Sequence, residues 1–172
     1  MSNPINNELR NTYFVRKSEQ EDWQDVTTLV NGVRVLAITG FFDKGEPVNV
    51  YTAQWTDSEV EDVMVTTIDE QTQQPVVIHK NSDISITFIV HQKYANSSTA
   101  IDVATQHDAF INYLTSGILW VKSEYANKEV KCACLEKYEP TTIKLHRNQT
   151  SNYMLGTLRL HNLQPPNAAQ TT

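Results

Sequence analysis

The sequence is poor in glycine and cysteine, and it has no long apolar run and no basic excess. Five glycines in 172 residues form neither a GxGxxG nor a P-loop pattern, so the common backbone cradles for nucleotide phosphates are absent. The five histidines form no HxH or HExxH pair. The longest apolar stretches fall well short of the ~18 residues of a membrane-spanning helix, so membrane insertion is not expected. A formal net charge of −6 and a pI near 5.3 argue against a duplex-binding protein, which would carry a basic face. The polar N-terminus lacks the charged-then-apolar layout of a signal peptide, which leaves synthesis in a reducing cytoplasm as the expectation.

What is present is β-rich. Val33 to Ile38 is a β-branched run closed by Gly40, and 41–47 (FFDKGEP) reads as a turn. Residues 48–55 alternate, with Asn49, Tyr51, Ala53 and Trp55 on one face; both faces are partly apolar, which suits a central strand. Residues 60–68 and 75–80 flank the polar DEQTQQ and read as one long β-hairpin, with Pro75 tolerated at the start of the return strand. Residues 83–90 (DISITFIV) form the clearest strand. Further strands are expected at 13–15, 118–125, 130–138, 141–146 and 153–163, with a turn at Ala126-Asn127.

One segment reads as a helix, about 100–116. Val103, Ala104, His107, Phe110, Ile111 and Leu114 form a single stripe of a 3.6-residue period, leaving Gln106, Asp108 and Asn112 for solvent. Thr99 is the expected N-cap, with Asp102 three positions on, and Gly117 stands where a left-handed C-terminal residue is wanted. The expected fold class is therefore mainly β: a β-sandwich or open barrel of about nine or ten strands with one flanking helix. Residues 13–163 read as a single domain, 1–12 as a flexible arm and 164–172 (QPPNAAQTT) as a disordered tail.

No catalytic constellation emerges. Cys132 and Cys134 share one face of a strand; a metal site would need further ligands, and a disulfide between extended i and i+2 positions would be strained, so free, buried thiols acting as small hydrophobes are expected. His107 on the apolar stripe reads as a packed histidine with one hydrogen bond. Glu59 and Glu61 share a strand face, as a wetted face would have them, and Trp23, Trp55 and Trp120 read as core or rim residues. No cofactor and no metal are expected.

The order of parts resembles tail proteins of bacteriophages. The strand DISITFIV, a polar linker, the helix ending HDAFINYLTSG, and then ILWVKSEY, KCACLEKYEPTTIKLH and YMLGTLRLHNL echo the tail-tube-like superfamily over roughly residues 30–163. That superfamily comprises tail-tube subunits, distal-tail proteins and tail completion ring proteins. The resemblance implies a non-enzymatic structural subunit made in the host bacterial cytoplasm and resident in the virion tail. Its partners would be further copies of itself in a hexameric or similar ring, other tail proteins, and DNA passing through a central channel without sequence-specific binding. It also implies an arm that reaches a neighbouring ring. The polar-tipped hairpin supplies the candidates for that contact: Val63, Val65, Ile68, Asp69, Glu70, Gln71, Gln73 and Gln74. The acidic balance suits a lumen along which DNA slides, because like charges repel. A carbohydrate-binding or adhesin-like β-sandwich module is the alternative and would present exposed Trp or Tyr on one face.

Overall fold

The computed structural model describes residues 9–42, 44–47, 49–56, 59–64, 66–68, 71–96, 100–147 and 151–164, with the backbone alone over 44–67 and 75–76. In chain order the strands are β1 (Tyr13–Arg16), β2 (Gln24–Asp25), β3 (Val33–Thr39), β4 (Lys44–Pro47), β5 (Asn49–Thr56), β6 (Glu59–Met64), β7 (Thr66–Ile68), β8 (Pro75–Val77), β9 (His79–Asn81) and β10 (Ile84–His91). The helix α1 (Val103–Thr115) follows, and then β11 (Ile118–Ser123), β12 (Lys128–Ala133), β13 (Thr142–Lys144) and β14 (Tyr153–Asn162). The fold is mainly β, as the sequence pattern leads one to expect.

The chain divides into two units: 1–42 with 83–163, and 43–82 with 164–172. The first contains an eight-stranded antiparallel sheet in the order β2-β1-β11-β12-β14-β10-β3, with β13 also paired to β14. The sheet does not close into a barrel, since the end strands β2 and β3 are not paired with each other. Its two halves share β14: the body of that strand pairs with β10, and its last residues reach β12 through Cys132↔Asn162 and Ala133↔His161.

Alternation decides which face is inside. Ile84, Ile86, Phe88 and Val90 of β10 are fully buried, and so are Leu119 and Val121 of β11. Met154, Leu158 and Leu160 of β14 face the same core. Strand β3 breaks its own alternation, burying Val33, Val35 and then Ile38. Its register against β10 shifts between Thr87 and Phe88, where Leu36 is the extra residue and points outward, 45% exposed. A β-bulge thus restores the inward face after one residue out of phase.

The helix begins later than Thr99 would place it. Asp102 is the N-cap, its side chain accepting from the Ala104 amide at 3.1 Å and the Thr105 hydroxyl at 2.8 Å. These bonds hold the Asp102 carboxyl below its ordinary range. Aspartate can bond its own following turn without help from a residue upstream, so it displaces threonine as the cap. Thr99 lies outside the described residues. Gly117 has φ +88, the left-handed conformation expected of it. Val103, His107, Phe110 and Leu114 are buried, while Ile111 is only half-buried; Asp108 and Asn112 are exposed, and Gln106 is half-buried rather than free. Phe110 meets Phe88 at 4.8 Å between ring centroids, so the helix lies on the central strand of its half-sheet.

The second unit is built of two-stranded ladders, and here the sequence expectations fail. The long hairpin of 60–68 against 75–80 does not form. Strand β6 pairs with β5, and only the outer part is a hairpin, β7 with β8, joining Thr66↔Val77, Thr67↔Val76 and Ile68↔Pro75. Only residues 57–58 separate β5 from β6, and the shorter loop costs less entropy to close. By the same pairing β5 is not central: among the described residues its sole ladder is with β6. The expected turn 41–47 contains β4, which pairs with β9 through Lys44↔Asn81 and Pro47↔His79. A register shift between those pairs accommodates Pro47, whose nitrogen cannot donate to a ladder. Of the two termini, 1–8 and 165–172 lie outside the described residues. Residues 9–12 form a turn tied down by the Asn11 amide, which donates to Asp25 Oδ2 at 2.7 Å.

Candidate functional site

Three clusters of chemically capable side chains stand out in the first unit. The innermost surrounds His107. Its Nε2 lies 3.0 Å from the Tyr138 hydroxyl and its Nδ1 lies 3.1 Å from Asp108 Oδ1, while Phe88 packs beside both rings. Burial pushes the Tyr138 phenol up to about 12. A side chain at Gly156 would collide with the Tyr138 hydroxyl, so glycine on β14 makes room for the tyrosine. No nucleophile joins this group, and it works as a satisfied polar insert in an apolar core. His107 is thus packed, as its place on the stripe suggests, but with a polar partner at each ring nitrogen rather than the single hydrogen bond expected.

The second cluster gathers around Asp83, just before β10, and the end of β14. Asp83 accepts from Arg159 Nε at 2.9 Å and from the Asn162 amide at 3.1 Å, and His161 Nδ1 lies 3.2 Å away. The other ring nitrogen of His161 lies 3.2 Å from Glu136. Gly40, at φ +107, passes so close to the Asp83 carbonyl that no side chain fits. The imidazole has a carboxylate at each of its two nitrogens, which do not converge on one point. Among the described residues no group of three or more His, Cys, Asp or Glu could hold a metal ion. An adjoining cleft of about 280 Å³ is lined by Glu136, Lys137, Tyr138, Glu139 and Arg159, and is charged where a small-molecule pocket would be apolar.

The third cluster covers the outer face of β1, β11 and β12. Register places Arg16 opposite Trp120, and Trp120 opposite Lys131. The Arg16 guanidinium lies 4.3 Å from the Trp23 ring centroid and 5.7 Å from that of Trp120. Lys131 Nζ lies 5.4 Å from the Trp120 ring, and Lys122 Nζ lies 5.9 Å from Trp23. The result is an alternating row: Lys122, Trp23, Arg16, Trp120, Lys131. Arg16 also pairs with Glu129 at 2.6 Å, and Lys122 with Glu124 at 2.6 Å. Both tryptophans are half-buried rim residues whose rings carry cations, which leaves them poor platforms for a sugar. The row is not legible in the sequence: Trp120 and Lys122 share β11, but Arg16 and Lys131 come from β1 and β12 and Trp23 precedes β2, so cross-strand register is needed to bring them together.

The expected contact residues lie in the other unit. Val63 is on β6 opposite Tyr51; Ile68 closes β7 and is 56% exposed; Gln71, Gln73 and Gln74 are exposed around the turn. Val65, Asp69 and Glu70 lie outside the described residues. Cys132 and Cys134 are free. Cys132 is buried as expected, and burial pushes its thiol up to about 12; Cys134 is only half-buried, because β12 ends at Ala133, and it donates to the Glu136 carbonyl at 3.2 Å. No helix among the described residues is long and apolar enough to cross a membrane.

The division of charge between the units is uneven. Residues 43–82 hold eight carboxylates (Asp43, Glu46, Asp57, Glu59, Glu61, Asp62, Asp69 and Glu70) against Lys44 and Lys80, a net of −6. The remaining residues hold 12 carboxylates and 12 cations, from totals of 20 and 14. The whole net charge of the chain therefore belongs to the insertion.

Comparison with protein-family models, curated proteins and solved structures finds no match to this chain.

Proposed function

We propose that the chain is a structural, non-enzymatic subunit of a phage or phage-like tail, assembling into a hexameric or similar ring around a central DNA channel. The tail tube is favoured over the distal-tail and tail completion rings. One observation carries the reading. Strands β3 and β10 are antiparallel neighbours that a short turn could join, yet residues 43–82 intervene and hold all of the net charge. A connection that long between adjacent strands is a functional feature rather than a structural need. An arm that reaches a neighbouring subunit is one use for it, and an acidic surface past which DNA moves without adhering is another.

On this reading Val63, Val65, Ile68, Asp69, Glu70, Gln71, Gln73 and Gln74 meet another subunit. Ile68 and Val77, 56% and 37% exposed on the β7–β8 hairpin, are then covered on assembly. A two-stranded hairpin is marginal in isolation and gains order from a partner. The test is sedimentation velocity across a concentration series, joined to amide exchange. Assembly into a defined oligomer with new protection over residues 66–76 supports the reading. Equal protection there in monomer and oligomer would count against the arm.

A further inference from the structure

We propose that the outer face of β1, β11 and β12 is the surface on which the acidic inserted unit of a second copy of this chain docks. The proposal rests on the ring reading and adds to it the receiving surface and the charges that select the partner. It starts from the charge division: a chain with −6 concentrated in one unit and zero net charge in the other has a built-in electrostatic preference for head-to-tail contact between copies.

The cationic counterpart must be held in place, and the cation–aromatic row does this. The face carries Arg16, Lys122 and Lys131 against two carboxylates, Glu129 paired with Arg16 and Glu124 paired with Lys122, which leaves a positive excess centred on Lys131. Lys131 has no carboxylate partner among the described residues, only the Trp120 ring. Stacking on indole leaves the positive charge in place while restricting the side chain, which lowers the entropy cost of a later ion pair. Half-buried tryptophan beside arginine is also the composition of energetic centres in protein interfaces. On the acidic side, Glu59, Glu61 and Asp62 fall in the first part of β6, which brings three negative charges close together. Single-stranded nucleic acid is the competing occupant of a cation–aromatic face. The net charge of −6 disfavours it, and cations already stack on the rings that bases would use.

The test uses two charge-reversed full-length proteins. One carries Lys122→Glu with Lys131→Glu, and the other Glu59→Lys with Glu61→Lys. Sedimentation velocity is run at low and at high salt. Each variant alone should associate at least about tenfold more weakly than the parent, and the parent should weaken as salt rises. An equimolar mixture should recover assembly, because each variant's reversed surface matches the other's. Recovery in the mixture shows that both variants are folded. Lys122→Arg with Lys131→Arg keeps the charge and should assemble as the parent does. If reversed variants assemble like the parent, the docking surface is wrong while the ring reading stands. A parent that stays monomeric at every concentration overturns both. Retention of a dT oligonucleotide that the first variant loses, with self-association unchanged, would make the face a nucleic-acid surface and overturn the proposal.

Discussion

Replacing Phe110 by alanine probes how the helix is held. The ring is fully buried and packs at 4.8 Å, tilted by 59°, on Phe88. Phe88 sits on β10, which is paired along its length on one side to β14 and on the other to β3. That strand cannot move to fill the space without breaking a ladder, so the site collapses poorly. The expected cost is then about 3–5 kcal/mol, of which the ring pair supplies about 0.5–1.5 kcal/mol. The assay is urea denaturation followed by tryptophan fluorescence in a Trp55→Phe background, so that the signal comes from Trp23 and Trp120 in the unit that holds the helix. Asn112→Ala, exposed on the same helix, serves as the control and should stay within about 0.5 kcal/mol. A loss below about 1 kcal/mol for Phe110→Ala would refute the packing argument.

Gly40→Ala should destabilise by more than about 1 kcal/mol, because φ is +107 and the new methyl meets backbone at Asp83; a neutral result in thermal melts would contradict the close approach. Gly156→Ala should displace Tyr138 and strand His107 Nε2, costing about 1–3 kcal/mol, and the same change in a Tyr138→Ala background should cost far less. Equal costs in the two backgrounds would show that the tyrosine does not mediate the effect. Alkylation without reductant should label Cys134 in the native protein and Cys132 only after unfolding, with no two-dalton deficit by mass. Below pH 9 the Cys132 thiol is protonated in both states; above it the unfolded thiol ionises first, so its contribution to stability falls between pH 9 and about 12. A Cys132→Ala protein that loses stability over that range as steeply as the parent would contradict this. Replacing residues 69–74 with Asn-Gly should leave the monomer folded and impair stacking between rings; unchanged assembly would remove the arm from the account.

The parts of the fold legible in the sequence are those governed by short-range period. Ile84, Ile86, Phe88 and Val90 alternate because one face of β10 is core, and the helical stripe follows from burial on one side of α1. The parts that were not legible depend on partner choice. Period two marks 60–68 as strand-forming but does not say whether it pairs backward with β5 or forward with 75–80. A short pairing at Lys44–Pro47 looks like punctuation until β9 is beside it. The cation–aromatic row was hidden for a similar reason: Arg16 is far in sequence from Trp120 and Lys131, and each alone reads as an ordinary surface or rim residue. The acidic residues show in the sequence as modest runs at 57–62 and 69–70, yet their share of the net charge emerges only once the unit's bounds are known.

Negative-stain electron microscopy of the purified full-length chain tests the central claim most directly. The account predicts closed rings of one size with a stain-filled central hole, stacking into short tubes as concentration rises. Featureless monomers at every concentration, or irregular aggregates without a central hole, would contradict it.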